Sequence, residues 1–341
     1  VCIKIDIVGG SLGGLSTAIS LKERDPSITV VVHEKYKQIG YNHEGRRCGE
    51  AYSLESDWAR WKPEPASVFG DILHATVHIG STEYKAERAP GTAFMLNRQE
   101  FICQLARQAQ RLGAVIQTGD LVKSPDDLDG DYIVDASGCP STIKRELGLR
   151  MGFFGTTYQH TLQNANCFIP NTIDVTFTPF MAYFWVFPRN PATHEVNVGV
   201  GLLGNYGYDL KRLLEEFKIE RGISGTINYT LGGLVPLGLQ RPLRHHHILF
   251  VGDAGVGAFP MSGQGIYRAL MSGEAAGACL ANHEANKYPV CMQREFLKWE
   301  LFCRNYMRLN LICRKIRPNF YIESMNFISR HVYDLSILTH G

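Results

Sequence analysis

A run of glycines near the amino terminus has the spacing of a dinucleotide-binding turn. Gly9, Gly13 and Gly14 flank Ser11, and Glu34 follows twenty positions after Gly14. The first glycine allows a sharp turn, the small serine lets a pyrophosphate approach the main chain, and the last glycine permits close packing of helix on strand. The acidic residue can accept hydrogen bonds from a ribose and would repel a 2′-phosphate. We therefore expect a nucleotide here rather than a purely structural turn.

A second glycine-rich stretch follows an apolar run later in the chain. Asp253 comes after Gly252 at the predicted carboxyl end of a strand, where its carboxylate can accept hydrogen bonds from hydroxyl groups. Farther along, Gly263, Gln264 and Gly265 open a helix whose free amides and positive dipole end can stabilise negative charge. An ordinary glycine-rich helix start is the alternative.

Three aromatic side chains alternate on one segment and therefore project from one face of a strand: Tyr183, Trp185 and Phe187. They are either ordinary core or an apolar wall suited to a hydrocarbon chain.

Cys48 lies in a long polar connection, residues 36–65, between Arg47 and Gly49. A cationic neighbour could lower the pKa of its thiol, as in reactive cysteines. A buried and inert cysteine is the alternative. Long connections in compact domains are usually functional, but the residues alone leave both interpretations of Cys48 open.

The elements around these residues indicate an α/β fold. Residues 3–34 read as a strand, a helix and a second strand, with the glycine turn after the first strand. Arg98 opens an amphipathic helix, and a long helix starts near Gly263. Between 151 and 240 the helical signal nearly vanishes, and alternating runs predict an antiparallel sheet. Further strands are predicted within 72–87 and at 114–117, 132–138 and 247–251.

Composition excludes several classes of protein. The 341 residues are 45% hydrophobic, which rules out a disordered chain, and 35 Lys+Arg against 33 Asp+Glu give a net charge of +2. That balance does not indicate a nucleic-acid partner. The nine cysteines include no C-x-x-C pair, which favours a reduced, cytoplasmic protein without a metal site. His43 and the histidines at 245–247 are read as loop and turn residues rather than metal ligands.

No apolar run reaches the roughly 18 residues that a membrane span needs. The stretch 302–317 interleaves arginines and a lysine with apolar side chains, as an amphipathic basic helix does. Its polar side is either a solvated surface or a peripheral contact with anionic lipid at a membrane surface.

Taken in order, the motifs resemble the flavoprotein superfamily of aromatic hydroxylases and, within it, the geranylgeranyl reductase family. At the superfamily level the resemblance rests on the first glycine turn with Glu34, on Gly252-Asp253 and on Arg98. It covers nearly the whole chain. Four segments carry the family-level resemblance: Tyr183–Pro188, with the spacing Y-x-W-x-F-P, Asn197–Gly201, Cys48–Ala51 and Gly233–Pro236, which matches a loop before the last sheet strand.

The resemblance implies an FAD-dependent oxidoreductase that saturates C=C bonds of geranylgeranyl or polyprenyl chains. Cofactor-binding residues implied by it are Gly9, Ser11, Gly13, Gly14, Glu34, Arg47, Cys48, Gly49, Arg98, Gly252, Asp253, Gly263, Gln264 and Gly265. Cys48, Tyr183 and Trp185 are the implied catalytic residues, and Tyr183, Trp185, Phe187, Gly199 and Gly201 would line the substrate cavity. The substrate would be an isoprenoid lipid or a prenyl diphosphate, and the electron donor a protein such as ferredoxin or transiently bound NAD(P)H.

The implied fold class is α/β, a Rossmann-like FAD-binding domain interrupted by an antiparallel-sheet α+β substrate domain and followed by a helical C-terminal segment. The predicted bounds are 1–71, 94–150 and 241–285 for the FAD-binding domain, 72–93 and 151–240 for the substrate domain, and 286–341 for the helical segment.

Two other functions fit the same motifs. One is an FAD-dependent monooxygenase or halogenase, although halogenases carry W-x-W-x-I-P where this chain has Tyr183, Trp185, Phe187 and Pro188. The other is a non-catalytic flavin-binding redox sensor with Cys48 as its switch. The electron donor, the substrate head group, the number of bonds reduced and the oligomeric state stay open.

Overall fold

A computed structural model describes residues 3–41, 49–54, 59–203, 207–313 and 315–331. The chain groups into two compact units. The described residues of the first unit come from Val1–Glu44, Arg98–Phe153 and Val235–Leu301, and those of the second from Gly45–Asn97, Phe154–Leu234 and Phe302–Gly341.

The strands of the described chain are numbered in chain order. They are β1 (Lys4–Val8), β2 (Thr29–Glu34), β3 (Ala51–Ser53), β4 (Val68–Asp71), β5 (His74–Ile79), β6 (Thr82–Glu87), β7 (Ala93–Leu96), β8 (Val115–Thr118), β9 (Tyr132–Asp135), β10 (Phe153–Gln163), β11 (Thr172–Phe177), β12 (Ala182–Pro188), β13 (Val196–Leu203), β14 (Thr226–Leu237), β15 (Arg244–His245) and β16 (Ile248–Phe250).

The α-helices are numbered in the same way. They are α1 (Leu12–Arg24), α2 (Arg98–Arg111), α3 (Thr142–Glu146), α4 (Leu210–Glu220), α5 (Ile266–Ala281), α6 (Tyr288–Cys313) and α7 (Phe320–His331).

The first unit is built on a six-stranded sheet in the order β15-β16-β9-β1-β2-β8. Its pairs are parallel except for the antiparallel edge pair β15–β16. The inner strands are runs of Ile and Val that are buried on both faces, as expected where helices cover a parallel sheet. The predicted strand-helix-strand unit and the parallel strands that follow it are confirmed. The glycine turns therefore lie at the carboxyl ends of β1 and β16, where ligands bind in sheets of this kind.

The second unit contains a seven-stranded sheet, β14-β10-β13-β12-β11-β5-β6, and a three-stranded sheet, β3-β7-β4. The large sheet is antiparallel at its centre, from β10 through β13 and β12 to β11. One pair departs from the predicted antiparallel pattern, because β11 runs parallel to β5. The alternation at 72–87 is confirmed as the antiparallel pair β5–β6.

Two local expectations for this sheet were wrong. Helix α4 lies inside the stretch that showed little helical signal; Asp209 caps it by accepting hydrogen bonds from the amides of Lys211 and Arg212. The helix turns Leu214 and Phe217 onto the sheet, where Phe217 stacks on Phe184 with ring centroids 4.3 Å apart. Residues 233–236, which resemble a loop of the reductase family, lie within strand β14.

The two units do not follow the predicted domain bounds. Residues 49–54 and 59–71 group with the antiparallel sheet rather than with the parallel sheet, and the helical C-terminal segment divides within α6, at Leu301. The mixed α/β fold class itself, with a parallel nucleotide-binding type sheet and a separate antiparallel sheet, is confirmed.

Candidate cofactor site and aromatic sheet face

The turn after β1 has no room for side chains. Gly9 has φ +110°, and a Cβ placed on it would lie 2.4 Å from the carbonyl oxygen of Ala136. A Cβ on Gly14 would lie 2.0 Å from the carbonyl oxygen of Gly9. Both distances are far below van der Waals contact with rigid main chain. The turn is therefore specific for glycine at these positions, as expected of the turn that precedes a pyrophosphate-binding helix terminus.

Glu34 ends β2 beside this turn. Its two carboxylate oxygens accept hydrogen bonds from the amides of Gly10 and Tyr36, each at 2.9 Å. These two bonds fix the orientation of the carboxylate, and each oxygen keeps a second lone pair for another donor. The arrangement fits the predicted contact with ribose hydroxyls, for which a buried, prealigned acceptor is needed.

Two helices direct uncapped amino termini toward the glycine turns. Ser11 is the N-cap of α1 and Gly265 that of α5, and neither cap makes a side-chain hydrogen bond to its helix. The amides of the first helical turn are thus available to an anion, and the helix dipole favours negative charge there. The long helix begins at Ile266, directly after the predicted Gly263–Gly265 segment.

The two glycine turns lie against each other. A Cβ on Gly13 would lie 3.3 Å from the amide nitrogen of Gly252, although the two residues lie far apart in the sequence. Gly252 adopts φ +55°, and its amide donates to Oγ of Ser272 at 2.9 Å. The ends of β1 and β16 therefore form one continuous backbone surface.

Helices α1 and α5 cross at backbone contact. A Cβ on Gly273 would lie 2.2 Å from the carbonyl oxygen of Gly13, and one on Gly277 would lie 2.8 Å from that of Thr17. Ser20 donates from Oγ to the carbonyl oxygen of Glu274 at 2.8 Å. Small residues on both helices thus hold the first turn against the second, and they account for part of the glycine content.

Asp253 and Arg98 act on each other electrostatically. Burial raises the pKa of Asp253, and the positive charge of Arg98 opposes this shift. Gly265 lies close by, since a Cβ on it would lie 3.9 Å from Oδ1 of Asp253. The first unit therefore brings together Gly9–Gly14, Glu34, Arg98, Gly252-Asp253 and Gly265, as the sequence predicts.

In the second unit, aromatic side chains of strand β12 pack against glycines of the neighbouring strand β13. Tyr183 pairs with Gly201 and Trp185 with Gly199. A Cβ on Gly199 would lie 2.1 Å from Cζ2 of Trp185, and one on Gly201 would lie 2.7 Å from Cε1 of Tyr183. Each of these glycines therefore leaves the space that an aromatic ring of the neighbouring strand fills. Their place beside a substrate cavity stays a prediction.

The rings on this face form a continuous row. Ring centroids are 5.4 Å apart for Tyr183 and Trp185 and 6.4 Å apart for Trp185 and Phe187. The indole of Trp185 donates to Oε1 of Gln159 at 3.0 Å, which fixes the ring plane. Burial raises the pKa of the Tyr183 hydroxyl. Tyr183 and Phe187 are half-buried, so the row is an apolar surface with one weakly acidic hydroxyl.

Gly49 lies against this row. A Cβ on Gly49 would lie 3.1 Å from Cε2 of Phe187 and 3.9 Å from Nε1 of Trp185. The two residues before it, Arg47 and Cys48, lie outside the described residues. Their proposed roles therefore stay predictions, and Gly49 is the member of that segment whose place beside the aromatic face is described.

A buried charge cluster follows Gly49, and sequence reasoning missed it. Arg189, directly after β12, donates from Nε to Oε2 of Glu50 at 2.5 Å and from a terminal nitrogen to Oε2 of Glu195. Asn228 donates to the other oxygen of Glu195 at 3.2 Å. All three charged side chains are buried. We name Glu50, Arg189 and Glu195 the charge cluster.

The charge cluster holds the backbone next to the aromatic row. Glu50 has φ +64°, a backbone conformation that residues other than glycine rarely adopt. Its carbonyl oxygen accepts a hydrogen bond from the amide of Leu96 at 2.9 Å. Burial alone would lower the pKa of Arg189, but attraction to both carboxylates outweighs it and raises the pKa. A sequence signal existed: a charged residue at the end of an aromatic strand, and another just before a strand of small and apolar residues.

Two negative findings concern the described residues alone. Among them, no group of three or more His, Cys, Asp or Glu side chains is arranged to hold a metal ion. No helix in the same ranges combines the length and the apolar character that crossing a membrane requires.

The chain is similar to known proteins both in sequence and in structure. No protein-family model matches the chain. The digeranylgeranylglycerophospholipid reductase of Methanocella arvoryzae is 29% identical over 308 residues, which cover 81% of this chain and 76% of the relative.

Two solved structures share the fold. A geranylgeranyl bacteriochlorophyll reductase-like protein from Thermoplasma acidophilum superposes with a TM-score of 0.77 at 21% identity and covers 100% of this chain and 94% of its own. The flavin-dependent brominase Bmp2 gives a TM-score of 0.66 at 16% identity over 96% of this chain and 90% of its own. The resemblance to the geranylgeranyl reductases, within the fold that they share with flavin-dependent halogenases, is therefore confirmed.

Proposed function

We propose that the first unit binds FAD. The glycine turn after β1 would receive the pyrophosphate, Glu34 the adenosine ribose and Asp253 the hydroxyls of the ribityl chain. The supporting observation is the pair of glycine turns, which meet at Gly13 and Gly252 and leave main chain and two uncapped helix termini exposed to a ligand. The uncapped amides of α5 suit the pyrimidine side of a reduced flavin, where negative charge collects.

We further propose that the protein is a reductase of C=C bonds in geranylgeranyl or polyprenyl chains. For each bond, FADH2 would supply a hydride to one alkene carbon and a proton would reach the other, leaving FAD and the saturated bond. The observation that carries this proposal is the aromatic row Tyr183, Trp185 and Phe187 on a chain similar to a reductase of such lipids.

The chain's own residues would position an alkene that has no polar group to hold. Rings fixed by the seats at Gly199 and Gly201 give a hydrocarbon chain a rigid apolar surface and exclude water. Tyr183 keeps its proton on Oη at neutral pH because the ordinary pKa of a tyrosine is near 10.0, and burial raises the pKa of Tyr183 further. We therefore propose Tyr183 and Trp185 as residues that contact substrate, with Cys48 as the third predicted catalytic residue.

The reductant has to deliver two electrons per bond. The sequence contains one dinucleotide fingerprint, so a nicotinamide cofactor would bind transiently, and an iron–sulfur protein such as ferredoxin would serve as well. The proposal covers both lipid and diphosphate head groups and any number of reduced bonds. Turnover with different substrates determines which head group is accepted and how many bonds are reduced.

Anaerobic turnover tests the proposal. Protein with photoreduced FAD is incubated with a geranylgeranyl glycerolipid, and mass spectrometry follows the lipid. We expect a gain of two hydrogens per reduced bond, with stoichiometric oxidation of the flavin. A lipid that gains no hydrogen while FAD is bound and photoreduced would refute the reductase and leave the cofactor proposal standing.

A flavin-dependent hydroxylase or halogenase is the second candidate, because the brominase shares the fold. Its products need O2, so it predicts no anaerobic product and an oxygenated or halogenated product in air with NAD(P)H. The phenylalanine at position 187, in place of the isoleucine of the halogenase motif, favours the reductase.

A further inference from the structure

The carboxyl-terminal part of α6 has two very different sides. One side packs within the second unit: Cys303, Tyr306, Met307 and Asn310 are buried, and Tyr306 shares a 2.7 Å hydrogen bond with Ser324 of α7. This anchoring fixes which side of the helix faces outward. The outward side is therefore a defined surface.

Large apolar side chains are exposed on that outward side. The exposed fractions are 44% for Phe302, 49% for Leu309, 65% for Ile312 and 85% for Ile316 in the turn that follows the helix. Phe302, Leu309 and Ile312 recur at helical spacing and so share one side. Exposed apolar side chains grouped in this way mark an interaction surface.

Positive charge surrounds these side chains. Residues 302–331 contain six Lys and Arg residues and one Glu, whereas the whole chain has 35 Lys+Arg against 33 Asp+Glu. Arg304, Arg308, Lys315 and Arg317 are exposed. Glu323 pairs with Arg317 at 2.6 Å and so offsets part of one charge. The local excess of positive charge is thus concentrated on a segment that also exposes hydrocarbon.

We propose that this surface, the basic–apolar face (Phe302, Arg304, Arg308, Leu309, Ile312, Lys315 and Ile316), docks on an anionic lipid membrane. Apolar side chains would enter the boundary between head groups and acyl chains while the arginines and the lysine contact lipid phosphates. The proposal deepens the proposed function and rests on it for its purpose, because polyprenyl lipid substrates reside in membranes. The surface would deliver the protein to its substrate.

A lipid surface explains the combination of features better than a protein partner. An acidic protein would need the charges but not an isoleucine that is 85% exposed beyond the helix end. A second copy of the chain would bring the same positive charges together, which costs free energy. Bases interleaved with exposed aliphatic side chains match an interface that is anionic at its surface and apolar just beneath.

Vesicle co-sedimentation tests the proposal without relying on turnover. The full chain is mixed with vesicles of 70% phosphatidylcholine and 30% phosphatidylglycerol, or of phosphatidylcholine alone, at 50 mM and 500 mM NaCl. We expect binding to the anionic vesicles at low salt and strong release at high salt. The double variant Arg304→Gln/Arg308→Gln should bind about thirty-fold more weakly, as expected for two lost bases near an anionic surface.

Matched variants separate this face from general surface charge. Arg107→Gln/Arg111→Gln removes two exposed arginines at the same spacing on α2 and should bind like the wild type. Ile312→Ser/Ile316→Ser should weaken binding about ten-fold. Ile219→Ser, at a site 79% exposed on α4, should leave binding unchanged. Thermal unfolding checks that each variant is folded.

Three results would overturn the proposal: wild type that fails to sediment with anionic vesicles, Arg304→Gln/Arg308→Gln that binds as the wild type does, or an equal loss in the α2 variant. A dimer in solution that Ile312→Ser/Ile316→Ser dissociates, without vesicle binding, would assign the face to a second copy instead. Reduction of detergent-dispersed substrate should be unchanged in these variants. If wild type binds vesicles but reduces no lipid, the docking face stands and the proposed function fails.

Discussion

Glycine does two different jobs in the two units of this protein. In the first unit, Gly9 and Gly14 let backbone approach backbone, so that a turn without side chains remains open to a ligand. In the second, Gly199 and Gly201 let aromatic rings approach a neighbouring strand. The first unit thus forms its candidate site from main chain, and the second from side chains that are held in place.

The difference determines what each site tolerates. A surface built from main chain is distorted when a glycine in it gains a Cβ atom, because carbonyl oxygens in rigid turns cannot move aside. Surfaces built from side chains lose their shape when the groups that orient the side chains are removed. Arg189 is such a group, because it lies between two buried carboxylates. Substitutions at Arg189, Gly14, Gly199 and His33 test this contrast.

The largest effect is expected from Arg189→Met. It leaves the buried carboxylates of Glu50 and Glu195 without their cation, which should lower the free energy of unfolding by about 3–5 kcal/mol. Urea unfolding measures it. The matched control is Arg212→Met, which breaks an ion pair with Glu216 at an arginine that is 71% exposed and should cost within about 0.5 kcal/mol.

Arg189→Lys sharpens the same test. It keeps the charge but loses the planar fork that reaches both carboxylates, so an intermediate loss is expected. An equal cost for Arg189→Met and Arg212→Met would mean that the charge cluster does not hold the second unit together.

Gly14→Ala should come next. The added methyl group meets the carbonyl oxygen of Gly9 at 2.0 Å, so the turn must open, and FAD affinity should fall about 100-fold, or about 2.7 kcal/mol. Flavin titration followed by fluorescence measures the affinity. Gly233→Ala is the control, because a Cβ there meets nothing within 4 Å. Unchanged flavin affinity in Gly14→Ala would place the cofactor elsewhere.

Gly199→Ala should have a smaller effect of a different kind. Its methyl group displaces the Trp185 ring rather than backbone, at a cost in unfolding free energy of roughly 1–3 kcal/mol. Prenyl-chain reduction should fall while FAD binding is retained. Adding Trp185→Leu should recover part of the stability, and a double-mutant cycle measures this coupling. Additive losses in the cycle would contradict the seating of the ring on Gly199.

The smallest effect on the free energy of unfolding is expected at His33, which lies in the parallel sheet of the first unit. His33 contacts Asp6 at 3.0 Å and Asp120 at 2.7 Å. Burial acts to lower the pKa of His33, but the two carboxylates outweigh it, so the pKa lies above 6.5. The stabilisation is therefore complete below pH 6.5 and is lost as pH rises through the raised pKa.

Comparison of His33→Gln with the wild type at pH 5.5 and pH 8.5 measures this contribution. The difference in unfolding free energy should be larger at pH 5.5. A difference that grows toward pH 8.5 would show that the neutral ring, rather than its charge, is what the two carboxylates stabilise.

Much of the first unit could be predicted from sequence because its signals are contiguous. Gly9–Gly14 and Asp253 come just after strands and Glu34 ends one, and parallel strands bring such ends to one edge. The contact between the turns at Gly13 and Gly252 follows from the rule that both turns lie at that edge of the sheet. The helix start at Gly263–Gly265 was found for the same reason, to within a few residues.

The second unit was harder to predict because its contacts depend on strand register. Alternation in Tyr183–Phe187 predicts a shared face, but only the pairing with β13 assigns Gly199 to Trp185. Glu50 and Arg189 lie far apart in sequence, and nothing local links them. Helix α4 was missed although a helical signal is present: Leu210, Leu213, Leu214 and Phe217 recur at the spacing of one helix face and pack against the sheet.

The crossing of α1 and α5 has a dynamic consequence. With Gly273 and Gly277 in contact with the backbone of α1, no layer of side chains separates the helices, and neither can open without exposing the other. Amide hydrogens along both helices should therefore exchange with solvent in one cooperative step. A ligand bound at either glycine turn then slows exchange in both helices, so that two segments far apart in sequence share a single local unfolding transition.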